Sequence, residues 1–261
     1  MKVSVITINY NNAKGIEKTI KSVIAQSYDD YEYIVIDGGS TDGSKEILES
    51  FSEKIAYWVS EPDKGIYMAM NKGIARAKGE YCHFLNSGDI YANNDVLSDV
   101  FHNKDYIEPL LRGIQICDSE KGFFRWYNQG NRDITLYDLY RDTLQHQATF
   151  IRRSLFQKYG FYDEVYKIVS DWKFFLKTML GGETSFYLNH DIVVFDMTGI
   201  SNNPVFHDLM YKERYEVLDE LIPKTIRDDY DRLLLMDKEA RKYRRYIRLG
   251  KFMNRLKWKK N

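Results

Sequence analysis

Val3-Ser4-Val5-Ile6-Thr7-Ile8-Asn9-Tyr10-Asn11 opens the chain as an apolar, β-branched run that stops in polar residues. Such a run, without clean alternation of apolar and polar positions, reads as a strand buried on both faces. Asn11, Asn12 and Gly15 break it, and Ile16, Ile20, Val23 and Ile24 then repeat with a helical period. Working outward, Tyr31–Ile36 predicts a second strand, Ser44–Phe51 a short helix and Ile55–Val59 a third strand. Gly65–Ala77 predicts a helix stopped near Gly79, and Tyr81–Leu85 a fourth strand. Strands and helices alternating at this spacing predict a mostly parallel, Rossmann-related α/β sheet with helices on both faces. The polar ends of three strands, Asn9-Tyr10-Asn11, Asp37-Gly38-Gly39 and Asn86–Asp89, then fall on one sheet edge. Ligands of open α/β sheets bind outside the carboxyl ends of the strands.

The remaining chain is less regular. Arg112–Cys117 and Gly122–Tyr127 predict a hairpin around 118–121, and Ala148–Arg152 a strand followed by a helix over Ser154–Tyr159. Asp171–Leu180 is helical up to Gly181-Gly182, Ser185–Leu188 and Ile192–Phe195 read as strands, and the chain is helical from about His207. The expected division is a catalytic domain over 1–203 (nucleotide-binding half 1–100, acceptor half 101–203) and a helical extension over 204–261.

Composition removes several classes. Hydrophobic residues at 44% exclude wholesale disorder. Two cysteines, Cys82 and Cys117, exclude a disulfide framework and point to a reducing compartment. No signal-peptide pattern follows Met1, and no apolar run is long enough to span a bilayer, so a cytoplasmic location is expected. The zero net charge hides an asymmetry: Asp237–Asn261 holds 11 basic and 2 acidic residues. In that tail Tyr246, Leu249, Met253 and Leu256 share one helical face, with Arg244, Arg248, Lys251 and Arg255 near the other. A basic amphipathic helix with Tyr243, Phe252 and Trp258 suits the anionic inner face of a membrane. The alternative is that its stripe packs on its own domain or on a second subunit, as in a homodimer. No nucleic-acid-binding motif accompanies the basic stretch.

Common nucleotide signatures are missing. Gly38-Gly39-Ser40-Thr41-Asp42-Gly43 has Ser where a dinucleotide fingerprint needs Gly, and there is no Walker A loop and no HExxH. The five histidines show no metal-binding spacing.

Taken in order, the segments Val3–Asn11, Val35–Gly43, Asn71-Lys72-Gly73-Ile74-Ala75, Gly79-Glu80-Tyr81 and Phe84–Asp89 resemble the landmarks of family-2 glycosyltransferases, enzymes with the GT-A fold. Ser170-Asp171-Trp172 falls where many members carry Glu-Asp. The resemblance implies an inverting glycosyltransferase moving a sugar from a nucleoside-diphosphate-sugar, a UDP-sugar above all, to an acceptor hydroxyl. A glycan or lipid-linked glycan of the cell surface is the expected acceptor.

The chemistry implied is a single displacement in which negative charge builds on the diphosphate leaving group. A Mn²⁺ or Mg²⁺ ion offsets that charge and prefers carboxylate and phosphate oxygens. The resemblance assigns Asp89 as the metal ligand and Asp171 as the base that takes the acceptor proton. Ile8, Asn9, Tyr10, Asp37, Asp63, Lys64, Asn71, Asn86, Ser87 and Gly88 form the expected donor site, with Asp37 on the nucleoside, Tyr10 stacked on the base and Lys64 near a phosphate. His146 and Trp172 are expected on the acceptor side, Trp172 as a sugar-stacking surface. Many members have paired Asp residues where this chain has Asp37-Gly38, and Asp-Ser-Asp-Asp where it has Asn86-Ser87-Gly88-Asp89. Two other readings use the same residues: a metal-dependent nucleotidyltransferase, or a non-catalytic sugar-nucleotide-binding scaffold.

Overall fold

The computed structural model describes residues 1–119, 122–197, 199 and 203–258, with side chains through Tyr243. Strand β1 (Val3–Asn9) is buried at every position. It lies between β2 (Tyr31–Asp37) and β4 (Tyr81–Phe84), with β3 (Tyr57–Ser60) outside β2, and all four run parallel. A central parallel strand has helices over both faces, which is why Val3–Ile8 carries no alternation.

The connecting helices are built by local rules. Helix α1 (Ala13–Ile24) is capped by Asn12, whose Oδ1 accepts from the Gly15 N–H at 3.1 Å. It buries Ile16, Ile20 and Val23 on one face. After β2 comes α2 (Ser44–Ser50), and α3 (Ile66–Arg76) follows β3. Gly73 lets α3 approach β1, since a Cβ there would stand 2.4 Å from Ile6 Cγ2.

Beyond β4 the sheet becomes mixed. Its order is β3-β2-β1-β4-β8-β6-β9-β5, with β7 paired on β6. Here β5 is Ile90–Tyr91, β6 Leu110–Ser119, β7 Gly122–Trp126, β8 Thr149–Arg152 and β9 Ser185–Asp196. Strand β8 is antiparallel to both β4 and β6, whereas β9 is parallel to β6. The expected hairpin is present as β6 and β7, paired up to Ser119 and Gly122; its turn at 120–121 lies outside the described residues. The two short strands expected at 185–195 are one strand. Asn189 adopts φ 50°, and the β6 register slips on either side of Ile114, so the turn-like residues make a bulge rather than a break.

Three elements carry too few periodic positions to announce themselves: β5, α4 (Val96–Phe101) and α5 (Leu136–Arg141). Helices α6 (Ser154–Tyr159) and α7 (Ser170–Leu180) follow β8.

The chain forms two compact units, Met1–Arg214 and Tyr215–Asn261. The division falls inside α8 (His207–Leu221). The beginning of α8 belongs to the body because Glu213 accepts from the Lys167 and Ile168 N–H groups at 2.9 and 3.0 Å. In the second unit α8 is followed by α9 (Lys224–Trp258), and Arg227 pairs with Asp219 at 2.6 Å. The side chains of the tail stripe from Arg244 to Trp258, and residues 259–261, lie outside the described residues. Among the described residues no helix is long and apolar enough to cross a membrane.

Candidate active site

Parallel pairing brings the strand-end clusters together. Asn9 and Asp37 are register partners on β1 and β2. The Asn9 amide donates to Asp37 Oδ1 at 2.7 Å. The Ser87 N–H, beyond β4, donates to the Ile8 carbonyl at 3.0 Å, and the Asn12 amide donates to the Ser87 carbonyl at 3.1 Å. The ends of β1, β2 and β4 are thus one continuous edge.

Asp37 has no exposed surface. Besides Asn9, it accepts from Ser40 Oγ at 2.6 Å, Ser60 Oγ at 2.6 Å and the Ser40 N–H at 2.9 Å. Burial pushes its carboxyl upward, but the donors from Ser40, Ser60 and Asn9 outweigh it and hold the group below its ordinary value. Its oxygens organise the 38–40 turn at the end of β2. Asn9, equally buried, helps hold Asp37, and its own Oδ1 has no partner.

Tyr10, by contrast, is 69% exposed. A Cβ on Gly38 would stand 3.2 Å from the Tyr10 ring and 2.8 Å from Asp63 Oδ2, so Tyr10 and Asp63 flank a glycine floor. Asp63 Oδ1 accepts from the Gly65 N–H at 2.9 Å, fixing the loop that carries the exposed Lys64.

The segment after β4 turns sharply, with Gly88 at φ 108°. The Gly88 N–H donates to Thr19 Oγ1 at 3.0 Å. Asp89 is 2% exposed; its Oδ1 accepts from the Asp196 N–H at 2.9 Å, and its Oδ2 is enclosed without a partner. Burial, with the nearby Asp196 charge adding to it, pushes the Asp89 carboxyl up to about 8. A Cβ on Gly88 would meet Asp196 Oδ2 at 2.9 Å. Asp196, at the end of β9, is thus a neighbour that the sequence did not reveal. Among the described residues no group of three or more metal-binding side chains occurs. Two carboxylates, one with an unpartnered enclosed oxygen, still fit a hard divalent ion that takes its other ligands from phosphate and water.

Asp171, in the first turn of α7, connects the two halves of the body. Its Oδ2 lies 2.9 Å from His146 Nδ1, and its Oδ1 lies 2.9 Å from the Tyr67 hydroxyl on α3. The Asn86 amide donates to His146 Nε2 at 3.4 Å. Asn86, His146 and Asp171, 85 positions apart end to end, thus form one chain of contacts. Burial tends to raise the Asp171 carboxyl, but the His146 bond and charge and the Tyr67 bond hold it below its ordinary value. Tyr67 was not foreseen, because one tyrosine among 21 carries no signal until folding sets it opposite Asp171.

Two expected site residues serve the scaffold instead. Trp172 is 2% exposed; its Nε1 donates to the Leu139 carbonyl at 2.7 Å and the Arg214 guanidinium lies 4.1 Å from its ring. One step along a helix turns a side chain by about 100°, so the neighbour of a cleft residue points into the core and offers no sugar-stacking surface. Asn71 is 9% exposed, and all its polar atoms hold the 162–164 segment: Nδ2 donates to the Tyr162 carbonyl and Glu164 Oε1, and Oδ1 accepts from the Tyr162 N–H. These bonds make it a staple for that loop.

The sequence model described as "Glycosyl transferase family 2" matches residues 4–172, well over half of the chain. The chain belongs to glycosyl transferase family 2. An uncharacterized glycosyltransferase of Mycobacterium tuberculosis (strain ATCC 25618 / H37Rv) is 36% identical over 214 residues, covering 79% of this chain and 81% of the relative. A PGL/p-HBAD biosynthesis glycosyltransferase of Mycobacterium bovis (strain BCG / Pasteur 1173P2) is 31% identical over 176 residues, 66% of this chain and 67% of the relative. Among solved structures, S. aureus TarS 1-349 in complex with UDP-GlcNAc superposes with a TM-score of 0.64 at 22% identity, over 75% of this chain and 58% of that one. The Pyrobaculum calidifontis mannosyltransferase PcManGT, in complex with GDP-Man and Mn2+, gives 0.58 at 18% identity, over 74% and 56%. These two likenesses establish the shared GT-A fold; the chain spans under two thirds of either solved protein.

Proposed function

We propose that this glycosyltransferase is inverting and moves a sugar from a nucleoside-diphosphate-sugar to an acceptor hydroxyl in glycan synthesis. The observation that carries the reading is the Asn86–His146–Asp171 chain, which ties the loop after β4 to a carboxylate at the start of α7. In a single displacement, groups on the leaving-group side and the proton-accepting side must flank the reacting carbon together. Tyr10, Gly38, Asp63 and Lys64 are the proposed nucleotide side, with Tyr10 stacking on the base. Ile8, Ser87 and Gly88 shape the adjoining backbone turn. Asp89 and Asp196 would hold a Mn²⁺ or Mg²⁺ ion, which when bound neutralises charge on the leaving diphosphate. The acceptor hydroxyl gives its proton to the Asp171–His146 pair.

The named relatives support the direction of this reading. TarS was solved with UDP-GlcNAc and PcManGT with GDP-Man and Mn2+, while the M. bovis relative is named for PGL/p-HBAD biosynthesis. A glycan or glycolipid is therefore the proposed acceptor class, and the basic tail favours lipid contact. A panel of UDP- and GDP-sugars, with Mn²⁺ and with a chelator, tests the proposal. Release of nucleoside diphosphate with transfer of the sugar is expected, as is a higher melting temperature with UDP or GDP plus Mn²⁺. Release of pyrophosphate, or binding of no nucleotide, refutes it.

A further inference from the structure

Asp171 stands in the first turn of α7, and that turn has no capping side chain to fix its start: the cap residue is Val169, which makes no side-chain hydrogen bond. The position of the carboxylate therefore depends on what holds the residues just before and just after it. Ser170 Oγ accepts from the Asp163 N–H. A charged acceptor reaches the same segment from α8. Glu213 is 5% exposed, and its two oxygens accept from consecutive backbone groups, Oε1 from the Lys167 N–H at 2.9 Å and Oε2 from the Ile168 N–H at 3.0 Å. Hydrogen bonds to an ionised acceptor are the strong ones, and a carboxylate engaged on both oxygens cannot swing without losing one.

Ile168 is gripped at both of its backbone polar groups. Its N–H goes to Glu213, and its carbonyl lies 2.6 Å from the Tyr67 hydroxyl. That hydroxyl also lies 2.9 Å from Asp171 Oδ1, so its single hydrogen serves two acceptors. A shift of the Ile168 carbonyl changes how that hydrogen is divided, and with it where Oδ1 is held. On the other side of Asp171, the next residue of α8 meets the next residue of α7. The Arg214 guanidinium lies 4.1 Å from the Trp172 ring centroid, and its Nη2 donates to the Leu139, Tyr140 and Asp142 carbonyls at 3.4, 3.4 and 3.2 Å. The Trp172 indole N–H shares the Leu139 carbonyl. Two consecutive residues of α8 thus clasp the backbone before Asp171 and the side chain after it.

Resting on the transferase reading above, in which Asp171 with His146 takes the acceptor proton, we propose that Glu213 is a positioning residue for that step and that Arg214 steadies the same carboxylate from its other side. Glu213 acts through the Ile168 backbone and Tyr67, not on the sugar. Proton transfer needs the carboxylate within about 2.6–3.2 Å of the acceptor hydroxyl, and a misplacement of about 1 Å costs roughly 10²-fold in rate. The proposed nucleotide side, Tyr10, Gly38, Asp63 and Lys64, is carried by the turns after β1, β2 and β3. Loosening α7 should therefore slow the reaction without weakening donor binding.

The test uses the full chain and the UDP- or GDP-sugar turned over fastest in the donor panel, with release of nucleoside diphosphate as the readout. Glu213→Gln keeps the shape but turns an amide toward one of two N–H donors. It should lower kcat by about tenfold, with donor KM and nucleotide affinity in calorimetry within about twofold of wild type. Tyr67→Phe should lower kcat by a similar factor. Because both act through the same oxygen of Asp171, the double variant should be about as slow as the slower single, whereas independent losses would multiply to about a hundredfold. Should Glu213→Gln fail to fold, Arg214→Lys carries the test: it keeps a cation near Trp172 but loses the fork that reaches the carbonyls, and should lower kcat at unchanged donor KM. Losses that multiply in the double variant, a kcat within about twofold of wild type in Glu213→Gln, full kcat in Arg214→Lys, or a donor KM that rises in step with the fall in kcat each overturns the assignment and leaves the transferase reading intact. No nucleoside diphosphate from any donor overturns both.

Discussion

Asp138 allows an electrostatic effect on the stability of the body to be worked through. It is the third residue of α5 and 5% exposed. It completes a capping box with Thr135, accepting from the Thr135 N–H at 2.9 Å, and receives both ends of the Arg132 guanidinium at 2.5 and 2.6 Å. Burial pulls its carboxyl up, but Arg132 and Thr135 together bring it from 3.8 to about 2. A shift of that size corresponds to ~2.4 kcal/mol of folding stability. Because Arg132 is half exposed, solvent screening trims the expectation to ~2 kcal/mol. Since the folded value is depressed, the stabilisation is complete above the unfolded value near 4 and disappears as pH falls through about 2.

Asp138→Asn keeps the shape but turns an amide toward donors it cannot satisfy. Urea unfolding of wild type and variant, followed by tryptophan fluorescence, measures the difference. Trp172 is a local reporter because its indole N–H bonds to Leu139 on the same helix. The variant should be less stable by ~2 kcal/mol at pH 7 and pH 5, which corresponds to roughly 4–8 °C in melting temperature for a body of this size. By about pH 3 roughly half of the gap should have closed, and by about pH 2 most of it. Equal midpoints at pH 7 would refute the charge argument. A gap that stays constant down to pH 2 would show that shape, not ionisation, was lost.

Three more outcomes follow from the same geometry. Gly79→Ala should destabilise the body by about 3 kcal/mol or more, read from its melting temperature, because the new Cβ would stand 2.5 Å from the Ser4 backbone nitrogen. Tyr10→Ala should leave the melting temperature unchanged and weaken UDP or GDP binding by roughly tenfold in calorimetry, since an exposed ring loses stacking and little else. Asn71→Ala should do the reverse, costing ~2–3 kcal/mol in urea unfolding through its lost bonds to Tyr162 and Glu164, with nucleotide affinity within about twofold of wild type.

The parallel half of the sheet was legible in the chain because its strands are local and strongly apolar. Val3–Ile8, Tyr31–Ile36 and Tyr81–Leu85 predict β1, β2 and β4 to within a residue. Ile16, Ile20 and Val23 predict the buried face of α1. A helix such as α5, only six residues long, and the two-residue β5 have no period to read. Single site residues were less legible than elements. Asp37 and Asn71 were assigned by residue type and place, but burial spends their hydrogen-bonding capacity inside the protein. Trp172 was assigned from its neighbour, although the helix turns the two side chains apart.

The sequence by itself determined the alternating architecture, the polar carboxyl ends of three strands and the kind of chemistry their residues can support. Those features depend on neighbours close in the chain, where periodicity and residue type suffice. Tertiary structure alone decided which polar groups act together: His146 with Asp171, Tyr67 behind them, and Asp196 against Gly88. Such pairings join residues 25 to 108 positions apart. Strand order and helix rotation bring them within bonding distance, and local propensity contains neither.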